Sequence, residues 1–428
     1  MANTFQTTSK IEKAIAFQWA AFGGFADHLE FHNDELPSAV DNTGYTKMIR
    51  RPSRHASTQT AVGADYDLPG VTQPIVSYGS MVDASFPFAI TARFETNLQV
   101  SFEELLFKLD RNDVMDRHLT PAIVEHQNKQ NAYIAATIEA AAGNTITSGG
   151  TADGYNSAIW QARQLMINRG GIKAETDKYL LLNTGVMPTL ATGNAKLFHT
   201  VDSSSQFQKA QFEQIAGFRI EESPTLSTPT YASIGASAVV ASAQNVTKFL
   251  TASWTPTWQV AITGATANVS IAAGAKFKFV NGSTDIRWIV PASIGTDAGF
   301  AATFTVVNAA QADPSGNITL TLSEPFIADG DFRNVSANLV AGSTKVVNAT
   351  ATSTLLTPSY AFSKDAIWLG SPAVKYPSGV DKGMSMKLGG FNIALIEDHW
   401  PGTLQSITKI VSFLAIGVAK PEALTVIY

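Results

Sequence analysis

The chain has 428 residues, 45% of them hydrophobic and only 15% charged, with a net charge of −5 and no cysteine. A chain of this length holds roughly two or three domains, each with its own core. The missing thiols exclude disulfide staples, thiolate nucleophiles and cysteine zinc sites. The negative balance excludes an electrostatic nucleic-acid binder, which needs surplus lysine and arginine to displace counterions. With so few ions, the exposed surface must be carried by Ser, Thr, Asn, Gln, Ala and Gly, a composition suited to packing against other chains.

Residues 1–40 read as an N-terminal arm. Lys10 and Lys13, followed by apolar residues 14–25, imitate a secretory leader. Ile11, Ile15, Trp19 and Phe22 nevertheless recur at helical spacing, which predicts an amphipathic docking helix too short to span a bilayer. Those four residues are candidate subunit contacts. Behind them lie Asp27, His28, Glu30, His32, Asp34 and Glu35. Two histidines four apart with carboxylates nearby form a metal-binding pattern on a helix face, yet no third fixed ligand accompanies them, so a solvated polar helix end is the preferred reading. No metal and no cofactor is assigned.

Residues 41–100 have an extended pattern. Tyr45, Lys47, Ile49 and Arg51 alternate with their neighbours, and a second run passes from Phe86 through Ile90 and Phe94 to Val100. The intervening segment 52–78 is rich in Pro, Gly, Ser and Thr and lacks apolar residues for a core. Together they predict a two-stranded protrusion, which is marginal in water and should rest on another subunit. Arg50, Arg51 and Arg54 at its base are candidates for ion pairs with a neighbouring chain, because three arginines in an acidic protein make no basic patch.

Ser101, Phe102, Glu103 and Glu104 form a capping-box pattern for a short helix. The spacing of Leu119, Ile123, Ile134 and Ile138 then predicts one long helix over 116–143, capped by Thr120, with Pro121 in its first turn and Gly143 just past its end. At its middle, Gln127, Asn128, Gln130 and Asn131 make an amide-rich waist expected to lie close to water or a neighbour.

A helix follows at 155–168, a buried strand at 179–182, a helix at 206–215 and a strand at 217–220. From 228 to about 347 lysine, glutamate and helical periodicity thin out, while short alternating runs separated by turn residues predict a small antiparallel barrel or sandwich. Within it, Phe304 and Val306 are expected to pair with Ile318, Leu320 and Leu322. The tail, 348–428, regains mixed character and ends in a strand expected to pair in a sheet begun before the β segment, which makes that segment an insertion.

No GxSxG elbow, phosphate-cradling loop, HExxH or dinucleotide fingerprint occurs, so no catalytic residue is assigned. Asp329, Asp331 and Asn334 match part of a calcium loop, but the twelfth position is Val340 where a glutamate is needed. Trp254, Trp258 and Trp288 are either sugar-stacking platforms or core residues.

Several segments resemble the major coat proteins of tailed bacteriophages, in particular the group typified by Salmonella phage P-twenty-two. They are Ile215-Ala-Gly-Phe-Arg-Ile-Glu-Glu-Ser-Pro-Thr-Leu226, Ala302-Thr-Phe-Thr-Val-Val307, Arg333-Asn-Val-Ser-Ala-Asn-Leu339, Lys364-Asp-Ala366 and Gly417-Val-Ala-Lys-Pro-Glu-Ala423, in the same order. The arm departs most from that group. The resemblance implies an α+β chain with the Hong Kong ninety-seven capsid fold. The spine helix over 116–143 then lies in a peripheral domain (101–154), the extended loop occupies 41–100, the first part of an axial domain is 155–227, and 348–428 return to the axial and peripheral domains. The inserted β-barrel over 228–347 is the mark of that coat group. It further implies a non-enzymatic major capsid protein that assembles with itself into hexamers and pentamers of an icosahedral shell. Its partners would be a scaffolding protein and portal during assembly, a decoration protein in some members, and packaged double-stranded DNA touched weakly. Its place would be the virion, after assembly in the host cytoplasm, with no membrane involved. Two other readings stay open: a β-rich adhesin or carbohydrate-binding protein, and the shell of a cellular encapsulating compartment.

Overall fold

The computed structural model describes residues 29–36, 46–51, 84–101, 111–173, 177–194, 214–224, 226, 228–242, 258–290, 297–328, 333–373, 382–388, 390–400 and 405–428. In chain order the elements used below are β1 (Thr46–Arg51), β2 (Ala84–Ser101), α1 (Arg111–Ala141), β3 (Asn144–Ile146), α2 (Ala152–Asn168), β4 (Lys178–Asn183), α3 (Met187–Asn194) and β5 (Phe218–Ser223). Then come β6 (Val239–Val240), β7 (Trp258–Thr263), β8 (Lys276–Asn281), β9 (Thr303–Thr305), β10 (Ile318–Leu322) and β11 (Thr344–Asn348). The chain closes through β12 (Ser359–Ser363), β13 (Ile367–Gly370), β14 (Lys382–Leu388), β15 (Phe391–Trp400), β16 (Gln405–Val418) and β17 (Leu424–Ile427). Strands predominate, and only three α-helices occur among the described residues.

The first sheet is organised on β16. One edge of this 14-residue strand pairs antiparallel with β2, and the other is shared by β15 and β13. Beyond β15 lies β14, and beyond the first part of β2 lies β1, so β1 and β2 form the expected two-stranded ribbon. Its base is not free. Phe86 and Phe88 are buried with Ala415 and Ala419 in a small core against Trp368 and Ile49. Glycine makes that possible: a Cβ at Gly370 would sit 2.8 Å from Phe88 Cζ, and one at Gly417 would sit 3.0 Å from both phenylalanines. The ribbon base is therefore anchored on its own chain, while Arg54 and the rest of residues 52–83 lie outside the described set.

Helix α1 packs across β2 and β16. At 31 residues it is longer than the pattern predicted, about 46 Å at 1.5 Å per residue. It begins at Arg111, so Thr120 is not its cap and Pro121 lies inside it. Pro121 is exposed, and the hydrogen bond it cannot make is given up on the solvent side. The waist is a second correction. Gln127, Gln130 and Asn131 are buried rather than wet, because the strands beneath them present hydroxyls.

The second sheet has the order β3, β17, β12, β4, β5 and the short strand Gln214–Ile215. That last strand replaces the end of the helix expected at 206–215; residues 206–213 lie outside the described set, as do 102–110 after the capping-box pattern. Strands from both sides of the long β segment thus interleave in one sheet, β12 pairing with β4 and β17 with β3. Helix α2 covers it with Tyr155, Ala158, Ile159, Ala162, Leu165 and Met166. Thr151 caps α2 by accepting from Gly154 N at 3.1 Å. Thr151→Ala is expected to lower stability by about 1 kcal/mol in urea titrations, with Thr151→Ser near wild type.

The β segment contains a sheet in which β8 pairs with β11, β11 with β6, β6 with β7 and β7 with β10. Strand β9 pairs with β8, not chiefly with β10 as the sequence led us to expect. It meets the end of β10 through the Val306–Leu322 bridge, Val307 N to Thr321 O and Ser323 N to Thr305 O, both 2.8 Å. Phe277, Phe279, Trp288, Phe304 and Phe326 fill the interior.

Candidate functional site

The chemistry of this chain lies in three buried polar clusters that join its parts. The first gathers at the C-terminal end of α1, where unpaired carbonyls need donors. The Glu139 carboxylate accepts from Tyr231 Oη at 2.7 Å, Tyr428 Oη at 2.8 Å and Tyr360 Oη at 3.2 Å. These phenols come from the β segment, the last residue of the sequence and β12. Lys276, on β8 and fully buried, donates through Nζ to the Glu139 carbonyl and to Thr305 Oγ1. Thr305 Oγ1 in turn donates to the Ala142 carbonyl at 2.8 Å. The β segment thus supplies the donors that finish the helix. Burial pushes the Lys276 amine down to about 7 against the opposing pull of Glu139. Burial, reinforced by the negative charge of Glu139, holds the Tyr231 and Tyr428 phenols well above their ordinary range.

The second cluster centres on Arg169, just past α2. Its guanidinium donates to the Gly143 carbonyl at 2.6 Å and Asn144 Oδ1 at 2.7 Å, pairs with Glu324 of the β segment, and lies 3.5 Å over the Trp288 ring. Asn144 passes the connection on, donating to the carbonyls of Glu422 and Leu424. In the third cluster the waist of α1 meets the strands. His126 joins Thr96 Oγ1 of β2 at 3.0 Å through Nδ1 and Ser412 Oγ of β16 at 2.8 Å through Nε2, and Gln130 donates to the same Ser412 Oγ at 2.7 Å.

The contact candidates read from sequence are not brought together here. Ile11, Ile15, Trp19, Phe22 and Arg54 lie outside the described residues, and of Arg50 and Arg51 only the backbone pairing with Ser85 and Ala84 is described. Of the acidic and histidine cluster, His32 stacks on Trp368 with ring centroids 3.8 Å apart, and Glu35 pairs with Lys47 of β1 at 2.6 Å. Asp27 and His28 are outside the described residues. Asn334 braces its own loop, bonding Ile327 N and the Pro325 carbonyl, while Asp329 and Asp331 lie outside. Trp288 is core, Trp258 stacks on Phe326, and Trp254 is outside. No helix among the described residues is long and apolar enough to cross a membrane.

Glu139, Lys276 and Arg169 escaped the sequence reading. The usable signal was Lys276: it occupies an alternating strand, Lys-Phe-Lys-Phe, whose two lysines share one face, and at Lys276 that face is covered by the end of α1.

No protein-family model and no curated protein matches the chain. Solved structures with a similar path include a chain of Mycobacterium phage Che8, at 10% identity and a TM-score of 0.45, covering 94% of this chain and 90% of that one. The capsid structure of the cyanophage P-SCSP1u gives 12% identity and a TM-score of 0.45 over 95% and 87% of the two chains. The asymmetric unit of the bacteriophage PhiM1 mature capsid gives 10% and 0.42 over 93% and 86%.

Proposed function

We propose that this chain is the major capsid protein of a tailed bacteriophage, a structural subunit that assembles with itself into an icosahedral shell around double-stranded DNA. The observation that carries this reading is one arrangement. A 31-residue helix lies across the β2/β16 pair, and β2 runs on, away from the helix, into a two-stranded ribbon. We read these as the spine helix and extended loop of the Hong Kong ninety-seven fold.

Under this reading the sheet of β3, β17, β12, β4 and β5 is the axial domain, and residues 228–347 are the inserted barrel, whose pairing path from β8 returns to β9. The Glu139 and Arg169 clusters lock that barrel to the spine, so the two move as one piece. Hexamers and pentamers hold together through many modest contacts acting jointly. Scaffolding protein and portal act during assembly in the host cytoplasm, and a decoration protein is a further partner of this reading. The net charge of −5 keeps the wall from gripping packaged DNA. The carbohydrate-binding reading loses ground, since Trp288 is buried beneath Arg169 and Trp258 is stacked against Phe326.

Electron microscopy and sedimentation of the recombinant full chain, alone and with a scaffolding protein, test the proposal. Closed shells are expected, and deletion of residues 1–28 should leave a folded chain that no longer closes them. Solitary monomers of the full chain under both conditions would overturn the reading.

A further inference from the structure

Strand β14 closes one side of the first sheet and is bare on the other. Its seven residues pair with β15 in unbroken register, from Lys382 opposite Glu397 to Leu388 opposite Phe391. Among the described residues nothing pairs with its outer edge. The second sheet is finished differently, with Gln214–Ile215 covering the start of β5. An open edge is a template for another chain unless a proline, a bulge or charge blunts it. Strand β14 has no proline and no bulge, and the one charged side chain described on it is Lys387.

The hydrogen-bond phase shows what that edge offers. Asn392, opposite Lys387, gives its N–H to Ser371 Oγ at 2.9 Å, on the side of β15 away from β14. Lys387 and Asn392 therefore exchange no backbone bonds, and in an antiparallel ladder the same holds at every second residue. The N–H and C=O groups of Gly383, Ser385 and Lys387 thus point outward together. On the helix-facing side, Met384, Met386 and Leu388 are half-buried against the main core, with Met386 in one row with Ile393 and Ser412.

We propose that β14 is a two-fold joint between copies of this chain, in which the strand pairs antiparallel with β14 of a second copy about Ser385. That register pairs the strand over its whole length. Ser385 meets the partner's Ser385 and Gly383 meets the partner's Lys387, so all the outward groups find bonds. The axis of such a pair is normal to the sheet, which keeps both half-buried faces on one side and sets Met384 opposite the partner's Met386. The two 387 positions end about 14 Å apart at about 3.4 Å per residue, beyond the roughly 10 Å screening length of 0.1 M salt. A second copy is the occupant because the edge matches its own rotated image: methionine meets methionine, and the lysine meets a glycine rather than a like charge. The joint names a surface for the self-assembly proposed above and rests on that reading. One strand pair covers far less than the roughly 1,200 Å² of a stable interface, so it holds where other contacts act with it and forms transiently in the dispersed chain.

The chain has no cysteine, so introduced thiols report on the pairing. Ser385→Cys and Lys387→Cys, both at exposed positions, are treated in concentrated dispersed chain and in any assemblies that form. The reagent is a bis-maleimide spanning about 8 Å, which bridges Cα atoms about 5.5 Å apart in a bonded antiparallel pair but not a separation of about 14 Å. Covalent dimers should form on the order of 10-fold faster with Ser385→Cys than with Lys387→Cys. Adding Gly383→Cys to Lys387→Cys should raise the slow rate to the fast one. Ser385→Pro in that double variant should abolish the gain and leave the urea midpoint near its parent's, because the lost N–H is one that β15 does not use. Equal rates at the two single sites, or dimers at neither, would overturn the joint. Dimers through 385 in a chain that closes no shells would uphold the joint and count against the capsid reading; shells without those dimers would do the reverse.

Discussion

Glu139→Leu is expected to destabilise the chain by about 3–5 kcal/mol, because buried hydroxyl donors lose their acceptor at about 1–3 kcal/mol each. The substitution removes the carboxylate that accepts from Tyr231, Tyr360 and Tyr428 and whose charge favours the ammonium form of Lys276. Glu139→Gln should cost distinctly less, since the amide oxygen still accepts hydrogen bonds. Urea titration of both variants against wild type measures the difference; equal and small losses would show that the cluster is not what fastens the β segment to α1. The same cluster sets a pH window. Lys276 has a folded value near 7, well below the roughly 10.4 of a free lysine. The unfolded chain therefore binds more protons between these values, and stability should rise as pH climbs from 7 towards 10. The Tyr231 and Tyr428 phenols, held above their ordinary range, act oppositely. Their contribution is whole below the free phenol value of about 10 and is lost as pH rises beyond it. Lys276→Met should flatten the rise without touching the alkaline fall.

Arg169→Ala is expected to cost about 3–5 kcal/mol as well, because it removes the guanidinium of a buried ion pair with the Glu324 carboxylate. It also strips donors from the Gly143 carbonyl and from Asn144. Arg169→Lys should recover little. An ammonium lacks the planar fork that reaches Glu324 and the Gly143 carbonyl at once while lying flat over Trp288. Urea midpoints, with near-ultraviolet dichroism following Trp288, check this; a lysine variant as stable as wild type would mean that only the charge matters.

Both sites show why sequence reading reached the elements and stopped at their joints. The long helix was visible because Leu119, Ile123, Ile134 and Ile138 keep one face over many turns, and strands β4, β5 and β8 because their apolar runs are short and bounded by turns. The start of α1 was misplaced because proline at position 121 was read as a boundary, although an exposed proline is tolerated where its missing bond faces water. The waist was misread because polarity on a helix face normally means solvent. Here Thr96 and Ser412 interrupt otherwise apolar strand faces at the matching depth, and polar met polar.

Local pattern by itself determined the long helix, the helix that follows it and the ribbon, the β-rich character of 228–347, and the return of the final strand to a sheet begun earlier. Those properties follow from period and composition, which neighbouring residues carry. Which charges are buried, and against what, was decided only by the tertiary structure. Glu139 and Lys276 are 137 positions apart and Arg169 and Glu324 are 155 apart. Whether such a residue becomes a solvated surface ion or a desolvated staple depends on the docking of distant elements, and no periodicity records that.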